Sequence, residues 1–466
     1  MKRFARNVKN HIKAYSARQI INLASNASNK NLIRMTKIAE RLTSDQDIKR
    51  EIRGIRRAFE EGHPAIQLAK KLSKGLNKKC RKKLINNLLL KAGIFGKERQ
   101  HEFAKREGFN PPWFLLISPT MKCNLNCIGC STREFNPSIE LPRETIDRVL
   151  NEAKNKMGIY FIVTLGGEMF VREDMFDIWK AHNDMYFQVY SNGTLIDKKV
   201  AKKLAEVGNV LVCLSVEGFQ EQTDYRRGKG VWDKVMQAMD NLREAGVPFG
   251  FSATMTRYNA DLITSDEFID LMIDKGCSIG WYFQYIPIGK NPDISLMPTP
   301  EQRNDLRKMV RRVRSTKPLF LGDFWNDGPY SQGCLAGRTY LHINNKGDVE
   351  PCGFVHFAVD GLNVHEKSLT EILKAPFYTT MRKRIQAVDA EDAYSDNLLT
   401  PCQIIDQPWV LRGLVKEFGA HATDGGDALL SGDTAKALDK YSKEIHILYD
   451  KIWQEEYQGF IKKDSK

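Results

Sequence analysis

Residues 113–130 read WFLLISPTMKCNLNCIGC. The apolar run Phe114 to Ser118 has the length and composition of a buried strand, and it empties into a loop that sets Cys123, Cys127 and Cys130 at CX3CX2C spacing. Similar runs follow at Tyr160 to Leu165, Phe187 to Tyr190, Val210 to Val216, Phe249 to Met255 and Ile279 to Tyr285, with amphipathic helical stretches between them. Six such βα units predict a parallel sheet, and right-handed crossovers curl it into a barrel or part of one. The fold class is therefore α/β, a partial (β/α)6 TIM-like barrel. Chemistry in such folds collects at the C-terminal ends of the strands, and the cysteine loop stands at the end of the first.

The flanks differ in kind. Residues 1–108 predict helices, with apolar positions at helical spacing such as Met35, Ile38, Ala39 and Leu42, and Pro64 divides two helical groups. Gly108 to Pro112 break the pattern before the barrel, expected over 109–290. A linker and helix follow over 291–332, a small cysteine-bearing module over 333–407, and a helical tail over 408–466 that Trp453 and Tyr457 dock on the body.

A chain of 466 residues exceeds one ordinary compact domain, in keeping with additions on either side of a central barrel. Nine cysteines without a secretory leader point to metal or redox use in the cytoplasm rather than to a disulfide framework. The longest apolar runs, such as Leu88 to Leu90 and Trp281 to Phe283, fall far short of the roughly 18 residues that cross a membrane. The net charge of +14 is concentrated at one end. Residues 1–110 hold 28 Lys and Arg against 9 Asp and Glu, whereas the rest hold 43 against 48. This arm is poor in aromatics, which favours an anionic membrane surface over a base-stacking nucleic-acid site and suggests a peripheral position on the inner membrane face.

Three thiolates on one tight loop suit three irons of a cubane cluster, leaving the fourth iron open. The alternatives are buried unpaired thiols or a structural zinc, but zinc wants four ligands and no fourth lies at customary spacing. With this loop the chain resembles the radical S-adenosylmethionine (SAM) superfamily over about residues 113–290. The resemblance implies a [4Fe-4S] cluster on Cys123, Cys127 and Cys130 whose open iron chelates the methionine end of SAM. Reductive cleavage then gives a 5′-deoxyadenosyl radical, and the resemblance further implies a reductant such as ferredoxin or flavodoxin.

Later strand ends extend the likeness. Gly166-Gly167-Glu168 ends the second strand and resembles the family's GGE motif at the SAM amino group; alone, it is as easily a turn. Ser191-Asn192-Gly193-Thr194 resembles the polar loop near SAM, and Ser215 ends the fourth strand. Arg227 matches a position that pairs with the SAM carboxylate, and Ser252 and Thr254 are placed to reach the ribose. A solvated arginine and ordinary strand hydroxyls are the plain alternatives. Two residues depart from the pattern: Gly129 stands where an aromatic is common and Met169 where proline is common.

Cys334, Gly347 and Cys352 form CX12GX4C, and Cys402 follows. This resembles the opening of the SPASM and twitch extensions, which hold auxiliary [4Fe-4S] clusters, although the remaining SPASM cysteines are missing. Three cysteine ligands are implied, with an open iron or a fourth ligand such as His342 or His356. Unligated cysteines or zinc remain the alternative. Cys80, Cys213 and Cys277 carry no motif, and Cys213 fits a small core residue.

The sequence thus predicts a radical SAM enzyme that abstracts hydrogen from an unactivated C–H. A membrane lipid is the leading substrate, suggested by the basic arm and by the segment Asp323 to Gly328, whose resemblance is to lipid-modifying enzymes. Modification of a peptide or cofactor precursor is the alternative. An iron-sulfur scaffold or RNA-binding protein leaves the GGE and later motifs without explanation.

Overall fold

The computed structural model describes residues 29–42, 46–386 and 397–457. Its core is a nine-stranded sheet: β1 (Phe114–Ile117), β2 (Phe161–Thr164), β3 (Tyr186–Ser191), β4 (Val210–Ser215), β5 (Phe249–Met255), β6 (Ile279–Gln284), β7 (Phe320–Asp323), β8 (Tyr340–Ile343) and β9 (Val349–Glu350). The spatial order is β7-β6-β5-β4-β3-β2-β1-β8-β9, so the edges β7 and β9 do not meet and the barrel is open. All neighbours are parallel except β8 and β9.

The six predicted strands are present, but two more parallel strands join them. β7 follows the helix Pro300–Thr316, and β8 comes from the cysteine module and pairs with β1, Phe114 opposite Tyr340. Each hides its character in sequence. β7 reads FLGD, and β8 reads YLHI with a fully buried His342 that is strand-compatible only because β9 brings Glu350 to its Nδ1 at 2.6 Å.

Helices Asn29–Leu42, Gln46–Glu60, Pro64–Gly75 and Lys78–Lys83, the π-helical stretch Leu84–Phe95 and helix Gly96–Glu107 precede the barrel. Pro64 opens its helix at the first turn, where its missing N–H costs nothing. Leu76, Cys80, Ile85, Leu90, Ala92 and Phe103 are buried, and Asn77 N donates to Gly246 O at 3.0 Å while Asn87 Nδ2 donates to Met185 O at 2.9 Å. Part of the apolar surface of residues 76–103 is therefore taken up by the barrel, while Leu89 and Ile94 stay exposed. Ile38 is exposed, but the first 28 residues and the side chains of Met35, Ala39 and Leu42 lie outside the described residues. Among the described residues no helix is long and apolar enough to cross a membrane.

The segment Asp323 to Gly328 is internal scaffold. Asn326 Nδ2 donates to Asp323 Oδ2 at 2.6 Å, Tyr449 Oη donates to Asn326 Oδ1 at 2.9 Å, and Arg314 pairs with Asp327. It thereby ties β7 to the C-terminal helix Gly432–Glu456, where Trp453 and Tyr457 are buried and stacked 5.3 Å apart.

Candidate active site

The ends of four strands brace the cysteine loop. From β2, Gly167 N donates to Thr120 O at 3.0 Å and Glu168 N to Lys122 O at 2.8 Å. A methyl group on Gly167 would come within 2.0 Å of Lys122 O, so glycine here is what lets the strand end lie against the residue before Cys123. From β3, Asn192 Nδ2 donates to Asn124 Oδ1 at 2.9 Å and stands 3.9 Å from Cys123 Sγ, while Asn124 Nδ2 donates to Thr194 Oγ1 at 2.8 Å. Past β4, Ile128 N donates to Arg226 O at 2.9 Å and Arg226 Nε to Ile128 O at 3.2 Å. Past β6, the Tyr285 ring fills the space beside Gly129, whose φ of +64° suits glycine. The aromatic partner missing from position 129 is thus supplied by a residue 156 positions later.

Glu168 is fully buried and accepts from Ser191 Oγ at 2.8 Å, Asn192 N at 2.7 Å and Phe170 N at 3.2 Å. Burial pushes its carboxyl pKa up and these donors oppose the shift. Ser215 Oγ and Ser252 Oγ face each other at 3.4 Å across β4 and β5. The buried Glu217, two residues past Ser215 and without a predicted role, organises this side. Its Oε1 accepts from Arg226 Nη1 at 2.6 Å and from Arg227 Nε at 2.8 Å, and its Oε2 accepts from Thr254 N at 3.3 Å. Arg227 is therefore already paired, and the adjacent Arg226 is a bracing residue without a predicted role.

The three thiols are free and half-buried. Burial raises the pKa of Cys127, opposed most by the Arg227 cation, and burial likewise raises Cys123. Among the described residues no three His, Cys, Asp or Glu side chains converge as they would around one metal ion. Thiolates on a cubane each take a different iron, so three on one loop suit a cluster with an open fourth iron, whereas a structural zinc wants four ligands.

Cys334, Cys352 and Cys402 all line one cavity, walled also by Phe324, Trp325, Tyr340, Phe354 and Gln403. Tyr340 Oη donates to Cys352 Sγ at 2.8 Å. Neither suggested histidine lines this cavity. His342 lies between Ser118 Oγ, 2.7 Å away, and Glu350, and His356 lies between the carbonyls of Asp424 at 2.9 Å and Gly353 at 3.2 Å. Cys80, Cys213 and Cys277 are buried elsewhere in the core.

Comparison with known proteins matches the radical SAM superfamily over residues 117–269 and an iron-sulfur cluster-binding domain, SPASM, over 334–407. The mycofactocin maturase MftC of Mycolicibacterium smegmatis is 30% identical over 279 residues, 56% of this chain and 67% of that protein. An AdoMet-dependent heme synthase of Methanosarcina barkeri is 22% identical over 292 residues, 56% of this chain and 82% of that protein. Among solved structures, Streptococcus suis SuiB bound to SAM shares the fold with a TM-score of 0.53 at 20% identity, over 66% of this chain and 76% of that one. These families bring their cofactors with them: SAM, its [4Fe-4S] cluster and auxiliary iron-sulfur. A chain with this barrel, this loop and these relatives belongs to the radical SAM superfamily and is one of its enzymes.

Proposed function

We propose that this enzyme matures a peptide or cofactor precursor. The observation that carries the reading is the cavity lined by Cys334, Cys352 and Cys402, built through β8 onto the same sheet as the cysteine loop. The relatives named as a maturase and a heme synthase point the same way. The lipid reading finds no counterpart among these relatives.

In this reading Cys123, Cys127 and Cys130 hold the SAM-binding cluster, and Cys334, Cys352 and Cys402 hold the auxiliary one. When bound, SAM and its cluster supply hydrogen-atom abstraction from C–H bonds that acid–base groups leave untouched. The chain's own residues position and insulate that chemistry. Glu168, with three donors already fixing it, would hold the SAM ammonium through its carboxylate, and Ser191 and Asn192 hold that carboxylate and the loop together. Ser215, Ser252 and Thr254, on β4 and β5, would hold the ribose. Arg226 and Arg227 share one carboxylate, Glu217, so a net positive charge remains beside thiolates that burial disfavours. A low-potential reductant such as ferredoxin or flavodoxin delivers the electron.

Mass spectrometry of peptide, small-molecule and lipid extracts from cells with and without the protein tests the proposal. A protein-dependent mass change in the peptide or small-molecule fraction, lost in Cys127→Ala, is expected. A change confined to the lipid fraction would contradict it.

A further inference from the structure

We propose that Gln403 supplies the fourth, non-cysteine ligand of the auxiliary cluster through its side-chain carbonyl oxygen. The inference rests on the reading of Cys334, Cys352 and Cys402 as the other three. Gln403 follows Cys402 in the chain, is 2% exposed and lines the same cavity. Its Nε2 lies 3.8 Å from Cys334 Sγ, and its Oε1 is buried without a hydrogen-bond partner. A buried amide oxygen with no donor is a cost that native structures seldom accept, and a half-turn of this amide, which exchanges its oxygen with the nitrogen now beside Cys334, would set the oxygen on an iron in the cavity and relieve it.

The other polar groups at hand are spent. Tyr340 Oη already donates to Cys352 Sγ, and Ser331 Oγ donates to Gly333 O at 3.0 Å. His342 and His356 are engaged away from the cavity. Gln284 and Gln407 also carry unpartnered buried oxygens, but neither lines it. The chemistry is consistent as well. Three thiolates in a largely apolar cavity already carry a desolvation cost, and a neutral amide oxygen completes the fourth iron without adding a charge. It also accounts for a SPASM-like module that lacks the family's further cysteines.

The test uses the full chain with Cys123, Cys127 and Cys130 replaced by Ala, so that only the auxiliary site can load. After anaerobic reconstitution, iron is counted and 13C-cyanide is titrated against the EPR spectrum of the reduced cluster. About four irons per chain are expected. Gln403→Ala should lower the cyanide concentration at half-conversion by about tenfold or more, Gln403→Glu should keep the iron protected, and Tyr340→Phe should leave the cyanide curve in place. An identical curve for Gln403→Ala, or a shift in Tyr340→Phe instead, overturns the assignment while leaving the cluster itself standing. If Gln403→Ala retains no iron, retention by Gln403→Glu but not by Gln403→Leu supports the assignment, and equal behaviour of those two overturns it. A parent protein that loads no iron overturns the auxiliary site and this ligand together.

Discussion

Arg303 and Asp406 form a fully buried ion pair, Nη1 to Oδ1 at 2.5 Å and Nη2 to Oδ2 at 3.2 Å, and the same Oδ2 accepts from Cys402 N at 3.0 Å. Arg303 also donates to Leu399 O at 2.8 Å and to Asn326 Oδ1 at 3.2 Å. One arginine thus fixes the backbone of the third module cysteine to the internal scaffold. Removing one partner leaves a buried charge uncompensated, so Arg303→Leu should cost about 3–5 kcal/mol in denaturant unfolding. Where the variant still folds, it should lose auxiliary iron before the iron on Cys123, Cys127 and Cys130.

The Gly129 contact with Tyr285 makes a second prediction. Alanine at 129 meets both a left-handed backbone and a ring carbon 2.6 Å away. The backbone conformation alone costs about 1–2 kcal/mol, so Gly129→Ala should lower the melting temperature and the iron retained by the first cluster. Adding Tyr285→Leu should recover the part due to crowding and leave the part due to φ.

Glu217 holds both arginines and the β5 backbone. Glu217→Gln should weaken all three attachments, reducing SAM affinity and cluster retention together, as read by equilibrium binding and iron analysis. Retention of both at the level of the unaltered protein would show that Arg226 braces the loop without its carboxylate.

Asp424 gives a pH signature. Burial, then the carboxylates of Glu134 and Glu350, push its pKa up to about 8 from an ordinary value of 3.8. Between about pH 4 and 8 the unfolded chain has released this proton while the folded protein keeps it, so stability falls as pH rises through that window. Asp424→Asn should melt with the unaltered protein near pH 4 and a few degrees above it near pH 8. A parallel shift at both pH values would mean that the carboxyl is not protonated in the fold.

The legible parts of the sequence were those carried by local pattern. β1 to β6 announce themselves as apolar runs between helices, and the cysteine spacings carry their own chemistry. β8 was hidden because His342 looks polar until Glu350 and Ser118 flank it, residues 8 and 224 positions away. The basic N-terminal helices show amphipathic faces in sequence but not what covers them; for Leu76, Cys80, Ala92 and Phe103 it is the core shared with the barrel. Arg227 is a free guanidinium on paper, and only the fold brings Glu217 onto it. Gln403 belongs to no motif at all, and its interest comes from an oxygen left without a partner.

The central claim is reductive cleavage of SAM by a cluster on Cys123, Cys127 and Cys130, and 5′-deoxyadenosine formation measures it most directly. Anaerobically reconstituted and reduced protein should produce 5′-deoxyadenosine from SAM, and Cys127→Ala should abolish it while the Cys213→Ala control keeps it. Undiminished production by Cys127→Ala, or none by fully loaded and reduced unaltered protein, would contradict the account.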